Sequence, residues 1–360
     1  MSVVLHVDGP RWRAHLLETA RTTPGIVPVA KGNGYGFGLS RLARRAQWLD
    51  DHAAETGTSV DLVAVGTYDE VDQIAARCRA DVLVLTPWRD FAHGADLDPA
   101  TRRRLIHTVS RPEDLVGLLD EDPKARFVLE QLTSMRRHGM TRRALTDAAA
   151  ALREWSPHGL AGVAVHLPLN VTSHLAEVSR LVNDVVAAGL TTRTVFVSHL
   201  TSGELAALAS TYPDFTFRPR IGTSLWLGDR GALRVSATVL DVHEVERGEA
   251  FGYRGRTAPR HGHLVVVSGG TAHGLGLEAP SGEQSLKARA ATLARGGMDA
   301  VGLVRSPFSV DGKQRLFAEP PHMQASMLFV PSGARVPAVG EQIDVRVRYT
   351  ATHFDRVEVS

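Results

Sequence analysis

The sequence has almost no cysteine and no long apolar run. Cys78 is the one cysteine in 360 residues, so the chain cannot form an internal disulfide, which fits a reducing compartment. No apolar run approaches the roughly 20 residues that cross a bilayer. The first residues lack the basic-then-apolar pattern of a secretory signal. We therefore expect a cytoplasmic protein.

An excess of charge of one sign is also missing. Lysine and arginine together number 41, against 39 aspartates and glutamates. This balance gives no reason to expect nucleic acid or a membrane surface as a partner. The basic runs "TRRRL" (101–105) and "TRRAL" (141–145) are more typical of solvated helix faces.

Lysine is scarce, since nearly all basic side chains are arginines. The four lysines are Lys31, Lys124, Lys287 and Lys313. Lys31 ends an apolar run in "VPVAKGNGYGFG" (27–38), where four glycines follow it at every second position. An amine can lose its proton and attack a carbonyl, whereas a guanidinium effectively cannot. The position of Lys31 therefore suggests a reactive amine.

The first two-thirds of the chain alternates short apolar runs with amphipathic stretches. Each run has the length of a strand buried on both faces. The runs cover 25–30, 61–66, 81–86, 104–109, 126–131, 161–167, 194–200 and 215–222. Helical spacing of apolar residues is clear between some of them, at 39–55, 141–155 and 174–189. Eight strands alternating with helices predict a (β/α)8 TIM barrel over residues 1–232, with a doubly wound open sheet as the competing arrangement.

The pattern changes at about residue 233. Period-two alternation at 233–245, 261–268, 327–333 and 342–349 predicts an antiparallel β domain over 233–360. Residues 285–297 are predicted to form either a short helix or a mobile loop. The pair His261 and His263 is the only close histidine pair and leaves a minor possibility of a metal site.

Polar side chains follow several strands of the predicted barrel. Active sites of such barrels lie at the carboxyl ends of the strands, so these side chains are expected to meet at one rim. They are Lys31, Glu130, Arg137, His166, Ser198, His199 and Arg220. Gly222, Thr223 and Ser224 follow the last strand and could open a short helix, which predicts an anion site, with phosphate as the obvious anion.

Five stretches resemble the alanine racemase family, and the resemblance covers most of the chain. "VAKGNGYGFG" is similar to the lysine segment that carries pyridoxal 5′-phosphate (PLP) in that family. The others are "QLTSMRRHGM" (131–140), "VAVHL" (163–167), "RIGTSLWLG" (220–228) and "EAFGYRGRTAP" (249–259). The family pairs a (β/α)8 barrel with a C-terminal β domain, which agrees with the architecture predicted above.

The resemblance implies a role for individual residues. Lys31 would bind PLP, Arg137 would lie near its phenolic oxygen, His166 against its ring, and Arg220 at its ring nitrogen. Tyr35, Ser202, Gly222 and Thr223 would contact the phosphate. Arg137 and Met323 would contact the substrate. Tyr253 would be the second catalytic residue, supplied by the partner subunit of a homodimer.

Three departures from the family pattern leave the substrate open. Glu130 stands where the family often has a carbamylated lysine, and its carboxylate could hold Arg137 directly. Thr271, in "GTAHG" (270–274), replaces a tyrosine near the substrate entrance. "HMQA" (322–325) keeps Met323 but changes its neighbours.

The implied activity is racemisation of alanine or another small amino acid. Lys31 and Tyr253 would act as bases on opposite faces of Cα. The tyrosine must lose a proton below its reference pKa of about 10, so we expect a cationic neighbour, with His166 as the candidate. Decarboxylation or aldol cleavage on the same fold, and PLP binding without turnover, remain alternatives.

Overall fold

The computed structural model describes residues 2–91, 96–155, 159–169, 171–276 and 304–360. The chain divides into two compact units. Arg13–Asp229 form one unit, and the residues up to Trp12 join Arg230–Ser360 in the other. The segment 285–297, for which a helix or loop was predicted, lies outside the described residues. None of the described helices is long and apolar enough to cross a membrane.

Eight parallel strands form the sheet of the first unit, in the order β2-β9-β8-β7-β6-β5-β4-β3. The strands are β2 (Val27–Pro28), β3 (Leu62–Val65), β4 (Asp81–Pro87), β5 (Leu105–Val109), β6 (Arg126–Gln131), β7 (Gly159–Val165), β8 (Thr194–Val197) and β9 (Thr216–Ile221). A parallel bridge between Val29 and Ala64 continues β2 alongside β3 and brings the two edges together. The sheet is therefore a nearly closed barrel, which confirms the predicted (β/α)8 class over the open sheet.

Helices alternate with these strands. They are α1 (Gly9–Arg21), α2 (Leu39–Asp51), α3 (Ala53–Thr56), α4 (Val71–Ala75), α5 (Pro99–Arg103), α6 (Pro112–Glu121), α7 (Arg142–Ala151), α8 (Leu175–Ala187), α9 (Ser202–Thr211) and α10 (Thr223–Leu227). The predicted helical stretches at 39–55, 141–155 and 174–189 correspond to α2 with α3, α7 and α8.

The interior of the barrel is apolar. Alternate residues of neighbouring strands meet there, and Val27, Leu62, Leu83, Val128 and Phe196 are almost completely buried. This packing makes the barrel a filled core and leaves polar chemistry to the strand ends.

The second unit is an antiparallel β domain. Its strands are β1 (Val3–Val7), β10 (Leu233–Val245), β11 (Ala250–Phe251), β12 (Arg256–Thr257), β13 (Gly262–Ser268), β14 (Arg305–Val310), β15 (Lys313–Phe317), β16 (Ala325–Pro331), β17 (Gln342–Val345) and β18 (Arg356–Val359). The sheet order is β13-β16-β15-β14-β17-β10-β1-β18, and a further pairing of β13 with β10 closes six of these strands into a ring. β11 and β12 form a separate two-stranded hairpin.

The division of the chain differs from the predicted boundary at 232/233. The β1 strand, placed in the barrel region by sequence analysis, pairs antiparallel with β10, with Leu5 opposite Val235. It also pairs in parallel with β18. Because Val3, Val4, Leu5 and Val7 are buried in this sheet, the N-terminal strand belongs with the β domain.

Candidate active site

Lys31 lies at the mouth of the barrel, where the chain leaves β2. The two residues before Lys31 are hydrogen-bonded to neighbouring strands: the Val29 N–H donates to the Ile221 carbonyl (2.8 Å) and the Ala30 N–H to the Ala64 carbonyl (2.8 Å). Trp226 Nε1 donates to the Val29 carbonyl (2.8 Å). The side chain of Lys31 is exposed towards the mouth. These contacts fix the backbone from which the Lys31 amine projects.

The surroundings of Lys31 favour the neutral amine. Partial burial, followed by the positive charges of Arg137 and Arg220, lowers the pKa of Lys31 below its usual value, while Glu70 acts to raise it. Desolvation and like charges both disfavour an ammonium ion. A lysine in this environment is more readily available as a nucleophile or base than a surface lysine.

The glycines after Lys31 are required by the backbone. Gly32, Gly34, Gly36 and Gly38 have φ values of 60°, 63°, 90° and 81°. This left-handed region is easily reached only by glycine. Tyr35 lies between them with φ 55° and a buried ring, so it is the strained non-glycine residue of the turn. The alternation seen in the sequence is therefore conformational.

Glu70 anchors this glycine turn, a role that sequence reasoning missed. Its Oε1 accepts the Gly32 N–H (2.7 Å) and its Oε2 accepts the Gly66 N–H (2.6 Å). Glu70 also completes a capping box with Thr67. The signal was present, because "TYDE" (67–70) has the Ser/Thr-x-x-Glu spacing of that motif. The carboxylate thus ties the segment after Lys31 to the end of β3.

Tyr35 and Gly222 approach each other very closely. A Cβ on Gly222 would lie 2.0 Å from the Tyr35 hydroxyl oxygen and 2.8 Å from its Cζ. Burial, with a smaller contribution from Glu70, raises the pKa of Tyr35 to about 12, so this hydroxyl stays protonated. The Tyr35 hydroxyl therefore occupies the space that a side chain at position 222 would need, directly beside the backbone that opens α10. Thr223, the first residue of α10, is exposed beside it.

A buried guanidinium and a buried carboxylate lie below the mouth. Arg220 Nη2 donates to the Val165 carbonyl (2.8 Å), while its Nε has no hydrogen-bond partner among the described residues. Glu130 Oε2 is likewise unsatisfied within that part of the chain. Burial raises the pKa of Glu130 and lowers that of Arg220 to about 10, and each charge opposes the shift of the other. A buried polar atom without a hydrogen-bond partner lowers the stability of the fold. Such atoms are expected in a site that receives a ligand, because the ligand can supply the missing partners.

The structure does not join Glu130 to Arg137. The predicted direct contact is absent from the ion pairs of the described residues, and Arg137 is exposed in the loop after β6. Arg137 follows Arg136, whose φ of 52° lies in the left-handed region. Its charge nevertheless affects Lys31, Glu130 and His166 at longer range.

His166 is fixed in a neutral form. Its Nδ1 lies 3.0 Å from Ser198 Oγ, which itself accepts the Leu167 N–H (3.1 Å). The serine hydroxyl is therefore free to donate to the ring. Burial and the charges of Arg220 and Arg137 lower the pKa of His166 to about 3. The expectation that His166 supplies a positive charge is wrong, because desolvation and neighbouring cations disfavour its protonation.

His199 and Ser202 follow β8. The ring of His199 packs at 5.3 Å from that of His166, and its backbone has φ 61°. Ser202 is the exposed first residue of α9, whose start is capped by Thr201. The barrel thus brings Lys31, Tyr35, His166, Arg220 and Gly222 to one rim.

Tyr253 and Met323 belong to the β domain. Tyr253 is 88% exposed and Met323 is 71% exposed. Glu319, which is 2% exposed, accepts the Tyr253 N–H at Oε2 (3.0 Å) and contacts His322 Nε2 at Oε1 (2.8 Å). The His322 ring packs edge-on against the Tyr253 ring at 4.9 Å. No sequence pattern identified Glu319 as the residue that holds this tyrosine segment.

The residues before Met323 support the "GTAHG" turn. The Thr271 N–H donates to the His322 carbonyl (2.9 Å), and the Ala272 N–H to the Met323 carbonyl (2.9 Å). A Cβ on Gly270 would lie 2.0 Å from the His322 carbonyl oxygen, so only glycine fits there. Among the described residues, no group of three or more His, Cys, Asp or Glu side chains could hold a metal ion.

Residues 8–228 match the family model described as "Alanine racemase, N-terminal domain". The chain belongs to the alanine racemase family. This assignment confirms the resemblance seen in the sequence motifs. No curated protein sequence matches the chain.

Solved alanine racemases share the fold of both units. The enzyme from Bartonella henselae, described with covalently bound pyridoxal phosphate, has a TM-score of 0.69 at 16% identity, with 100% of each chain covered. The alanine racemase from E. faecalis has a TM-score of 0.67 at 18% identity, covering 99% of this chain and 98% of that one. The biosynthetic alanine racemase from Pseudomonas aeruginosa has a TM-score of 0.62 at 20% identity, covering 97% of this chain and 91% of that one.

Proposed function

We propose that this protein is a PLP-dependent amino acid racemase that interconverts the L and D forms of alanine or another small amino acid. The proposal rests on the arrangement of side chains at the barrel mouth. There an amine of lowered pKa, Lys31, shares one rim with the buried Arg220, whose Nε is unsatisfied within the described residues. A reactive amine beside a preorganised buried donor is suited to a cofactor with an aldehyde and a ring nitrogen.

The residues of the rim fit this cofactor. Lys31 would bind it covalently, and Arg220 would donate to its ring nitrogen. Because Gly222 has no side chain, the Tyr35 hydroxyl lies directly against the backbone that opens α10, and both would be able to donate to one phosphate group. The residues that would hold the phosphate are Tyr35, Ser202, Gly222 and Thr223. Neutral His166 would pack against the ring, and Arg137 would lie near the phenolic oxygen and the substrate.

When bound, the cofactor withdraws electrons from an attached amino acid and makes its Cα proton removable. The chain must supply a base for each face of Cα. The substrate amine would first take the place of Lys31 on the cofactor, which frees Nζ; Lys31 Nζ would then take or return the proton on one face and Tyr253 Oη on the other. The proton leaves to one base while the other base delivers its own, so the centre inverts and the two bases exchange protonation states.

Arg220 keeps its own proton throughout. Its pKa of about 10 remains well above neutral pH despite burial of the side chain. A guanidinium can therefore donate a hydrogen bond to the ring nitrogen without protonating it. This limits how far negative charge moves away from Cα and favours returning the proton there over other reactions.

Tyr253 requires a second chain in this proposal. Its ring and the side chain of Met323 are largely exposed in the β domain. A catalytic phenol needs an enclosed position, so we infer a homodimer in which each β domain supplies Tyr253 to the partner's barrel. Mixing Lys31→Ala chains with Tyr253→Phe chains should restore one competent site per heterodimer. Verified heterodimers without activity would contradict the shared site.

The function is tested on purified holoprotein with a panel of L-amino acids and chiral chromatography. We expect one or more of them to approach an equal mixture of enantiomers, and Lys31→Ala to abolish this. Release of carbon dioxide or of an aldehyde without inversion would replace the proposal by decarboxylation or aldol cleavage. Cofactor binding with no product of either kind would indicate a non-catalytic protein.

A further inference from the structure

A cavity of about 950 Å³ lies within the β domain. Glu319 is the only carboxylate among the described residues that line it, and its oxygens already contact the Tyr253 N–H and His322. Apolar contacts come from Leu275 and Phe317. Among the described residues of the lining, the positive charges are those of Arg254, Arg256, Arg305, Arg346 and Arg348.

Three elements of the domain bring these arginines together. Arg254 and Arg256 lie on the β11–β12 hairpin, and Arg305 begins β14. Arg346 and Arg348 follow β17, where the Arg346 N–H donates to the Pro307 carbonyl (2.9 Å) and holds that segment against β14. Arg256 Nη1 donates to the Ala318 carbonyl (3.0 Å), beside Glu319. These two hydrogen bonds fix the segment after β17 against β14 and the hairpin against the residues before Glu319.

The charges of this cluster are not neutralised by the described residues. None of its five guanidiniums takes part in an ion pair within the described ranges. Other arginines of the same domain do: Arg234 pairs with Asp344, Arg335 with Asp311 and Glu341, and Arg356 with Glu358. Like charges around one concave surface repel one another and concentrate a positive potential in the cavity.

We propose that this cavity is a binding site for a small molecule with two or more carboxylate or phosphate groups. A guanidinium presents paired N–H donors that match the two oxygens of a carboxylate or phosphate. The volume of the cavity is within the usual range for small-ligand sites. Five guanidiniums are more than one monovalent anion requires. The bound molecule would lie close to the Tyr253 segment, because Arg254 adjoins Tyr253 and Glu319 borders both the cavity and that residue.

Binding is tested by calorimetry on the full-length holoprotein, with citrate and pyrophosphate as probes. We expect one probe molecule per chain and an affinity that falls with added salt. Arg305→Gln and Arg348→Gln should each weaken binding about 10-fold to 100-fold, as expected for the loss of one charge-assisted hydrogen bond. Arg260→Gln changes an exposed arginine of the same domain outside the cavity and should leave binding unchanged.

Thermal unfolding of each variant checks that the domain is folded. Failure of both probes to bind folded wild-type protein overturns the proposal. Equal loss of binding in Arg260→Gln and Arg348→Gln also overturns it, because the attraction would then reflect net charge alone.

Two sources of the anion are distinguished by turnover, and this step alone rests on the proposed function. If the ligand is an acidic amino acid substrate, Arg348→Gln should raise KM for L-glutamate or L-aspartate and leave KM for L-alanine unchanged. If the ligand is a separate effector, citrate should change alanine turnover in the wild type and not in Arg348→Gln. Binding without either effect supports an anion site separate from catalysis. Absence of all turnover contradicts the proposed function and leaves the calorimetric result standing.

Discussion

Replacing Glu70 by glutamine should both destabilise the barrel and change the amine of Lys31. Oε1 of Glu70 accepts the Gly32 N–H and Oε2 accepts the Gly66 N–H. Glutamine has the same shape but carries one NH₂ group, which must then face one of these two donors. The substitution removes the negative charge and leaves a backbone N–H unsatisfied, whichever way the amide is turned.

The magnitude follows from the bond that is lost. A hydrogen bond to a charged group contributes about 1.5–3 kcal/mol to the free energy of unfolding. For a domain of this size class, 1 kcal/mol corresponds to about 2–4 °C in Tm, so Glu70→Gln should lower Tm by about 3–12 °C. Glu70 acts to raise the pKa of Lys31, and its removal should therefore lower that pKa further.

The lysine pKa is measured by NMR on cofactor-free protein carrying 13C-labelled lysine, in which the Lys31 amine is unmodified. Only four lysine signals are expected, and Lys31→Met identifies the signal of Lys31. Glu204→Gln is the matched control, because Glu204 also caps a helix through its contacts with the Thr201 and His174 N–H groups. It should cost similar stability and leave the Lys31 titration unchanged. If Glu70→Gln leaves both Tm and the Lys31 pKa as in the wild type, the anchoring role assigned to Glu70 is refuted.

Four further outcomes are expected. Borohydride treatment of the holoprotein should attach a pyridoxyl group to the peptide containing Lys31; labelling of Lys124, Lys287 or Lys313 in its place would contradict the assignment. Tyr253→Phe should keep the cofactor and slow racemisation about 10²–10⁴-fold, or about 3–5 kcal/mol in barrier, whereas a mere packing role would leave near-normal rates. Gly222→Ala should lower stability by about 1–3 kcal/mol through overlap with the Tyr35 hydroxyl, while Gly203→Ala, where a Cβ meets nothing within 4 Å, should not. Burial acts to raise the pKa of Glu204, but hydrogen bonds from the Thr201 and His174 N–H groups lower it to about 2. The stabilisation from ionised Glu204 is therefore present above about pH 4.5 and lost as the pH falls towards 2. Acid unfolding of Glu204→Gln should show a weaker pH dependence over that range.

The barrel was predictable because each of its strands is buried on both faces. Such strands appear as short continuous apolar runs, and eight of them can be counted directly. Their ends were less predictable. β2 is only Val27–Pro28 in the structure, although the Val29 N–H beyond it still donates to the Ile221 carbonyl of β9.

The membership of β1 in the β domain could not be predicted from local pattern. The run Val3–Val7 is apolar and strand-like, but its partner β10 begins 226 residues after β1 ends, at Leu233. Nothing in a five-residue run specifies a partner at that distance. The position of β1 is decided by the unpaired edge that β10 offers, which only the folded sheet reveals.

The site residues also differ in how far the sequence predicts their positions. Residues at or near the carboxyl end of a strand, such as Lys31, His166 and Arg220, lie at one rim because the fold class alone positions them there. Glu70 was missed although its capping box is readable, because its contact with Gly32 joins different strand ends. Glu319 was missed because it is held by tertiary contacts with Tyr253 and His322, which leave no periodic signal.

The barrel mouth also explains why one lysine stands among so many arginines. Arg220 is buried, yet its pKa falls only to about 10, so it remains a cation at neutral pH. The same kind of environment lowers the pKa of Lys31 from a smaller starting value, with both Arg137 and Arg220 contributing. Arginines can therefore hold charge in this site while they push the amine towards its neutral form. An arginine at position 31 would keep the charge and lose the nucleophile, whereas a lysine at position 220 would lose the permanent donor. The two residue types are used for opposite properties within one rim.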